Sequence, residues 1–120
     1  MYNYFMVVGR LCNDIDVKQL GDGRKVVNLT LAVGREFKNN DGTYSTDFIR
    51  ISLWEFLADI ASDNLKKGRV IGVKGRISPR HETLQSGAVV PINDLIGERI
   101  VFYDSINEAS SIEADMEDES

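Results

Sequence analysis

The chain has 120 residues, 42% of them hydrophobic, which suffices for one compact domain and leaves little over. No apolar run is long enough to span a bilayer, the Met-Tyr-Asn-Tyr start lacks a signal peptide's basic region, and one cysteine with one histidine excludes an internal disulfide or a metal site built from them. The net charge of −5 is uneven: six acids and no Lys or Arg follow residue 107, so 13 acids face all 14 basic residues before it. That division predicts a near-neutral domain at 1–105 and a disordered acidic tail at 106–120.

In chain order, residues 2–11 are apolar on both alternations: Tyr2, Tyr4, Met6 and Val8 on one, Phe5 and Val7 on the other. A strand buried on both faces reads this way, and in so small a domain the second face is expected to meet another subunit. Residues 14–20 form a short extended piece before the turn at Gly21-Asp22-Gly23. In 26–35, Val27, Leu29, Leu31 and Val33 share one face of a strand. Asn39-Asn40-Asp41-Gly42 is a hairpin loop with its glycine placed for positive φ, and Phe37, Lys38 and Tyr44 sit at the tip.

The returning strand is the informative one. In 47–55, Ile49, Ile51 and Leu53 alternate with Phe48, Arg50, Ser52 and Trp54. One face is oily, and the other carries rings and a cation where Lys, Glu and Thr would be ordinary. Two readings stand for it: a platform on which unpaired bases stack, with positive charge for phosphates, or a second hydrophobic layer or oligomer contact.

Residues 55–67 change period. Leu57, Ile60, Ala61 and Leu65 fall at helical spacing, with Lys66-Lys67 expected in the last turn and Gly68 just past it. Residues 69–78 are a strand with Ile71, Val73 and Ile77 inward, Lys74 and Arg76 outward, and Gly72 and Gly75 marking bulges. A polar loop is expected at 79–87, then a last strand at 89–103 interrupted near Pro91 and Gly97. This predicts an all-β protein with one short helix between strands 3 and 4, the order of the five-stranded Greek-key OB-fold barrel.

Catalysis finds no support. Asp14 and Asp16 are a lone acid pair, Asp47, Glu55 and Asp59 are scattered, and no phosphate loop, metal-ligand spacing or nucleophile elbow is present, so no enzyme activity, metal or cofactor is expected. Binding does better. Arg35, Lys38, Arg50, Lys74, Arg76 and Arg80 collect near strands 2 to 4, with Phe37, Phe48 and Trp54 among them, and exposed rings are costly without a partner.

The sequence resembles the bacterial and phage single-stranded DNA-binding proteins of the SSB family over residues 1 to about 105. The likeness is carried by Val7-Val8-Gly9-Arg10-Leu11, Asn28-Leu29-Thr30-Leu31-Ala32-Val33, Asp47-Phe48-Ile49-Arg50 with Leu53-Trp54, Leu65-Lys66-Lys67-Gly68 and Val73-Lys74-Gly75-Arg76, in that order and spacing. The resemblance implies a barrel that wraps single-stranded DNA without sequence preference in replication, recombination and repair, as a homotetramer or dimer, in the cytoplasm or, if phage-encoded, in that of the host. It implies stacking by Phe37, Phe48 and Trp54, phosphate contacts by Lys18, Arg35, Lys38, Arg50, Lys74, Arg76 and Arg80, and subunit pairing through the first strand. The other reading is an OB-fold protein-interaction subunit of a replication or primosome assembly.

The chain departs from the family's pattern at three places. Near Glu82, where a further stacking ring is expected, it reads His81-Glu82-Thr83, leaving His81 as the candidate substitute. Asp14-Ile15 replaces Asp-Pro, and the acidic tail lacks the hydrophobic tip through which relatives recruit replication and repair proteins.

Overall fold

The computed structural model describes residues 1–103 and, as backbone, the strand at 111–115. In chain order the elements are β1 (Phe5–Leu11), β2 (Lys18–Gln19), β3 (Lys25–Lys38), β4 (Tyr44–Trp54), α1 (Phe56–Asn64), β5 (Val70–Thr83), β6 (Val89–Tyr103) and β7 (Ser111–Asp115). The sheet runs β1-β5-β6-β4-β3 and closes on itself through Arg10↔Ala32 and Leu11↔Leu31. All neighbours are antiparallel except β4 and β6, which meet in parallel at Ser52↔Ile96. This is the expected five-stranded barrel, with its helix between the third and fourth barrel strands, and β2 and β7 are additions to its edges.

Alternation decides the interior. Val27, Leu29 and Leu31 on β3, Ile51 and Leu53 on β4, Ile71 and Val73 on β5, and Ile100 on β6 are fully or almost fully buried. The helix closes one end with Leu57, Ala58 and Ala61 and packs on β3, β4 and β6. Each buried Leu, Ile or Val contributes about 1.5–3 kcal/mol. The helix is shorter than the periodicity predicts. Leu65 turns extended and drops into the core, so the helix stops at Asn64, and Lys66, Lys67 and Gly68 form the turn after it. Glu55 makes the strand-to-helix corner at φ 55°, and its carboxylate accepts a 2.7 Å hydrogen bond from the Lys25 N–H.

The polar loop expected at 79–87 is instead the far end of a long hairpin: β5 continues to Thr83, and the turn spans Leu84 to Ala88. Both prolines lie within strands. Asn3 shows why they fit. Its side chain donates to the Ile77 carbonyl at 2.8 Å and accepts from the Ile77 N–H at 3.0 Å, so Ile77 directs its backbone away from β6. Pro79 lies two residues on and points its nitrogen the same way, toward the open edge. Pro91, opposite His81, falls on the same class of pair and turns its nitrogen away from β5. Neither proline removes a ladder bond. The glycine signal at 75 holds. The register shifts between Lys74 and Gly75, and a Cβ at Gly75 would overlap the Ile96 carbonyl.

Most of the tail expected at 106–120 lies outside the described residues. Its 111–115 stretch, where no strand is expected from sequence, pairs with β6 from Arg99↔Asp115 to Tyr103↔Ser111. Backbone hydrogen bonding along an open strand edge does not depend on apolar alternation, so the composition carries no sign of it.

Candidate functional site

The outer wall of the barrel around β4 carries the unusual side chains. Register across β3 and β4 sets Ala32 beside Phe48, Thr30 beside Arg50, Asn28 beside Ser52 and Val26 beside Trp54. One row of the wall runs from Arg76 through Ile96 and Ser52 to Asn28. Ser52 Oγ donates to Asn28 Oδ1 at 3.0 Å, fixing two polar groups beneath the rings. Phe48 is 67% exposed and Phe37 83%, while Trp54 is half-buried. The small neighbours Ala32, Thr30 and Ser52 leave the rings standing clear of the wall.

Trp54 separates two hollows. One, of about 450 Å³, is lined by Arg50, Asn28, Ser52, Arg80, Asn93 and Asp94 among others. The other, of about 430 Å³, is bordered by Arg24, Arg76, Ser78 and Glu98. The Arg24 guanidinium lies 5.1 Å from the centre of the Trp54 ring, and its Nε donates to Asp22 Oδ2 at 2.8 Å. A cation over an indole face is favourable. The sequence marks Arg24 only by its place directly after the Gly21-Asp22-Gly23 turn; its contact with Trp54 arises from the β3–β4 register, which sets Val26 opposite Trp54. Lys18 on β2 pairs with Val26, so Lys18, Val26 and Trp54 form one row. Val26 is 7% exposed between its two larger flanks.

The expected cations do not form one set. Arg50, Arg76 and Arg80 line the hollows beside Trp54. Arg35 is elsewhere. It binds Asp47 side-on, Nη2 to Oδ1 at 2.8 Å and Nε to Oδ1 at 3.1 Å, and Asp47 shares the alternation of Ile49 rather than that of Phe48. Alternation along β3 puts Arg35 with Leu31 and Val33, on the other side of the hairpin arm from Ala32 and Phe48, while Phe37, within the irregularity between Gly34 and Lys38, stands exposed. Lys38 stands over Tyr44, with Nζ 5.9 Å from the ring centre, which makes the exposed Tyr44 a fourth ring at the hairpin tip. Lys74 pairs with Met6 on one side and Arg99 on the other, on the wall that carries Tyr4, Met6 and Val8. His81 does not substitute at position 82. Alternation along β5 puts Arg80 and Glu82 on one face and His81 on the other, and Glu82 Oε2 lies 3.9 Å from Arg80 Nη1.

Carboxylates pervade this surface. Arg80 Nε donates to Asp94 Oδ2 at 2.7 Å, and Arg76 Nε lies 3.9 Å from Glu98. The hydrogen bond that Arg80 donates to Asp94 raises the Arg80 pKa above its ordinary value, and that from Arg35 to Asp47 does the same for Arg35 while holding the Asp47 carboxyl below the usual range. Among the described residues, no group of three His, Cys, Asp or Glu is placed to hold a metal, and no helix is long and apolar enough to cross a membrane. Chemically, such a surface offers flat faces for planar ligands and donors for anions.

Comparison with known proteins agrees with this geometry. Residues 2–103 match the model of the single-strand binding protein family. Single-stranded DNA-binding protein B of Bacillus subtilis is 35% identical over 104 residues, 87% of this chain and 92% of that protein. Single-stranded DNA-binding protein 2 of Listeria innocua is 37% identical over 109 residues, 91% of this chain and 69% of that protein. A Plasmodium falciparum SSB solved in complex with single-stranded DNA superposes with a TM-score of 0.72 at 27% identity, covering 87% of this chain and 96% of that one. By family match, sequence identity and superposed fold, the chain belongs to the single-strand binding protein family.

Proposed function

We propose that this chain binds single-stranded DNA without sequence preference, as a non-catalytic protein that covers and protects exposed strands in replication, recombination and repair. One observation carries the reading: Phe48 and Trp54 project from the outer wall of a filled barrel with Arg50 between them on the same strand. Bases stack on the rings, phosphates meet Lys18, Arg50, Arg76 and Arg80, and the hairpin tip with Phe37, Lys38 and Tyr44 extends the track. Arg35 and Lys74 serve strands that wrap beyond the Trp54 hollows.

Self-association belongs to the same reading. Tyr2, Tyr4, Met6 and Val8 are exposed, the last two 41% each, and Phe5 to Gly9 pair with β5 on one side only. A second copy packed against this wall yields a dimer, and two dimers a tetramer. Residues 1–105 form the binding domain, and 106–120 an acidic segment. The cytoplasm is the compartment that fits a binder of this kind.

Fluorescence titration with oligo-dT tests the reading. Trp54 is the only tryptophan, so stacking quenches the protein's tryptophan emission. Trp54→Ala is expected to weaken binding by about 1–3 kcal/mol, roughly 5- to 150-fold. Equal oligo-dT affinity of Trp54→Ala and wild type, measured by anisotropy of a labelled oligomer, contradicts it.

A further inference from the structure

The β5–β6 arm presents its arginines already matched with acids. Arg80 lies between Asp94, 2.7 Å from Nε, and Glu82, 3.9 Å from Nη1, while Arg76 lies 3.9 Å from Glu98. All of them share the groove-side alternation of β5 or border the hollows beside Trp54. On β4 the arrangement differs. Arg50 lines the same hollow as Arg80 and, among the described residues, has no carboxylate within ion-pair distance. A surface evolved only for maximal attraction of a polyanion has no reason to set an acid within hydrogen-bond reach of the arginine beside its central ring.

We propose that Asp94 is an affinity-setting residue, an internal counter-ion that keeps Arg80 as a neutral pair which a nucleic-acid phosphate must split. This rests on the single-strand-binding reading and adds to it how tightly the site holds its ligand. Asp94 takes the Nε–H of Arg80 and hydrogen-bonds neither Nη group, so donors remain while its charge offsets that of the guanidinium. Both partners are partly exposed, 49% and 36% by side chain, and such pairs are weak enough for a phosphate to separate. The elevated Arg80 pKa is consistent with a carboxylate that acts on the guanidinium directly. Binding then leans on the rings and on unmatched cations such as Arg50 and Lys18, and the arm yields quickly when a strand must be handed on.

The test is the salt dependence of oligo-dT affinity in Asp94→Asn, in Asp63→Asn as an equal charge change on the exposed helix, and in the double variant Arg80→Ala/Asp94→Asn. Freeing one cation steepens the slope of log K against log salt by about 0.7 and raises affinity about fivefold at 0.1 M salt. The expectation is that gain for Asp94→Asn, less than about twofold for Asp63→Asn, and, because Arg80 itself contacts phosphate, a double variant about fivefold or more below Asp94→Asn, the factors following from that slope. If Asp94→Asn binds no more tightly than Asp63→Asn, or the double variant keeps the gain of Asp94→Asn, Asp94 does not act through Arg80 and the proposal is overturned. Absence of oligo-dT binding by wild type and all variants overturns the underlying reading along with it.

Discussion

Two walls of one barrel expose large apolar side chains, and they differ in what surrounds them. Around β4, Phe48 and Trp54 are interleaved with Arg50 and Ser52 and bordered by Arg24, Arg76 and Arg80. Along β1, Tyr4, Met6 and Val8 face Gly72 and Lys74, and a Cβ at Gly72 would lie 3.1 Å from Met6 Cε. Both walls need a partner, because exposed apolar clusters on a small protein are costly. Rings separated by cations suit a ligand that alternates flat bases with phosphates. Flexible aliphatic side chains over a glycine suit another protein surface of the same kind. Exposure alone does not discriminate between nucleic acid and protein; the chemistry between the apolar groups does.

The sharpest way to break this comparison is to charge the aliphatic wall. Met6→Glu with Val8→Glu removes two apolar side chains from the proposed subunit contact, each contributing about 1.5–3 kcal/mol when buried. Light scattering is expected to show a shift to monomers of more than 100-fold in the association constant, on that basis. Trp54 quenching by a short dT oligomer is expected to persist. Loss of both together would mean that the two walls are not independent.

A smaller effect is expected from Arg24→Gln. The variant loses the cation over Trp54 and the Asp22 pair, so urea unfolding followed by Trp54 emission is expected to show about 0.5–1 kcal/mol less stability, the scale of an exposed cation–π contact. The oligomeric state should not change, since Arg24 borders the hollow beside Trp54 and not the wall of Met6 and Val8. An unchanged emission spectrum of the folded protein would remove the ring contact from the account.

The smallest effect is that of acid. Asp47 is held below the ordinary carboxylate value of 3.8 by hydrogen bonds from Arg35, and Asp22 by the backbone N–H and then the side chain of Arg24. A depressed folded pKa adds stability above the unfolded value and loses it as pH falls through the folded one. Urea midpoints are therefore expected to owe no decline to these groups between pH 7 and about 4 and to fall below that, with the fall reduced in Asp47→Asn. A contribution already lost by pH 5 contradicts the assigned pairing.

Much of this architecture is legible in the residue order. The period-2 runs at Val27, Leu29, Leu31 and at Ile51, Leu53 identify core strands before any coordinate is known, and the Asn-Asp-Gly loop fixes their hairpin, with Gly42 at φ 85° as expected. The ring face follows from the same alternation. The strands at 69–78 and 89–103 are legible, but the continuation of β5 through 79–83 and the unbroken passage at Pro91 are not, because whether a proline breaks a strand depends on the direction in which its nitrogen points, a property of the pairing. The position of Arg35 away from Phe48 follows from the alternation of Leu31 and Val33, whereas the irregularity between Gly34 and Lys38, beside Phe37, has no distinctive residue pattern.

By itself, then, the sequence determines which side chains face inward, where the chain turns, and that one wall carries aromatic rings, since these depend on local period and backbone preference. Only the tertiary structure decides that Arg24 covers Trp54 and that Asp94 pairs with Arg80. The reason is physical. These two contacts join residues 30 and 14 positions apart, and only the register of neighbouring strands fixes their distances.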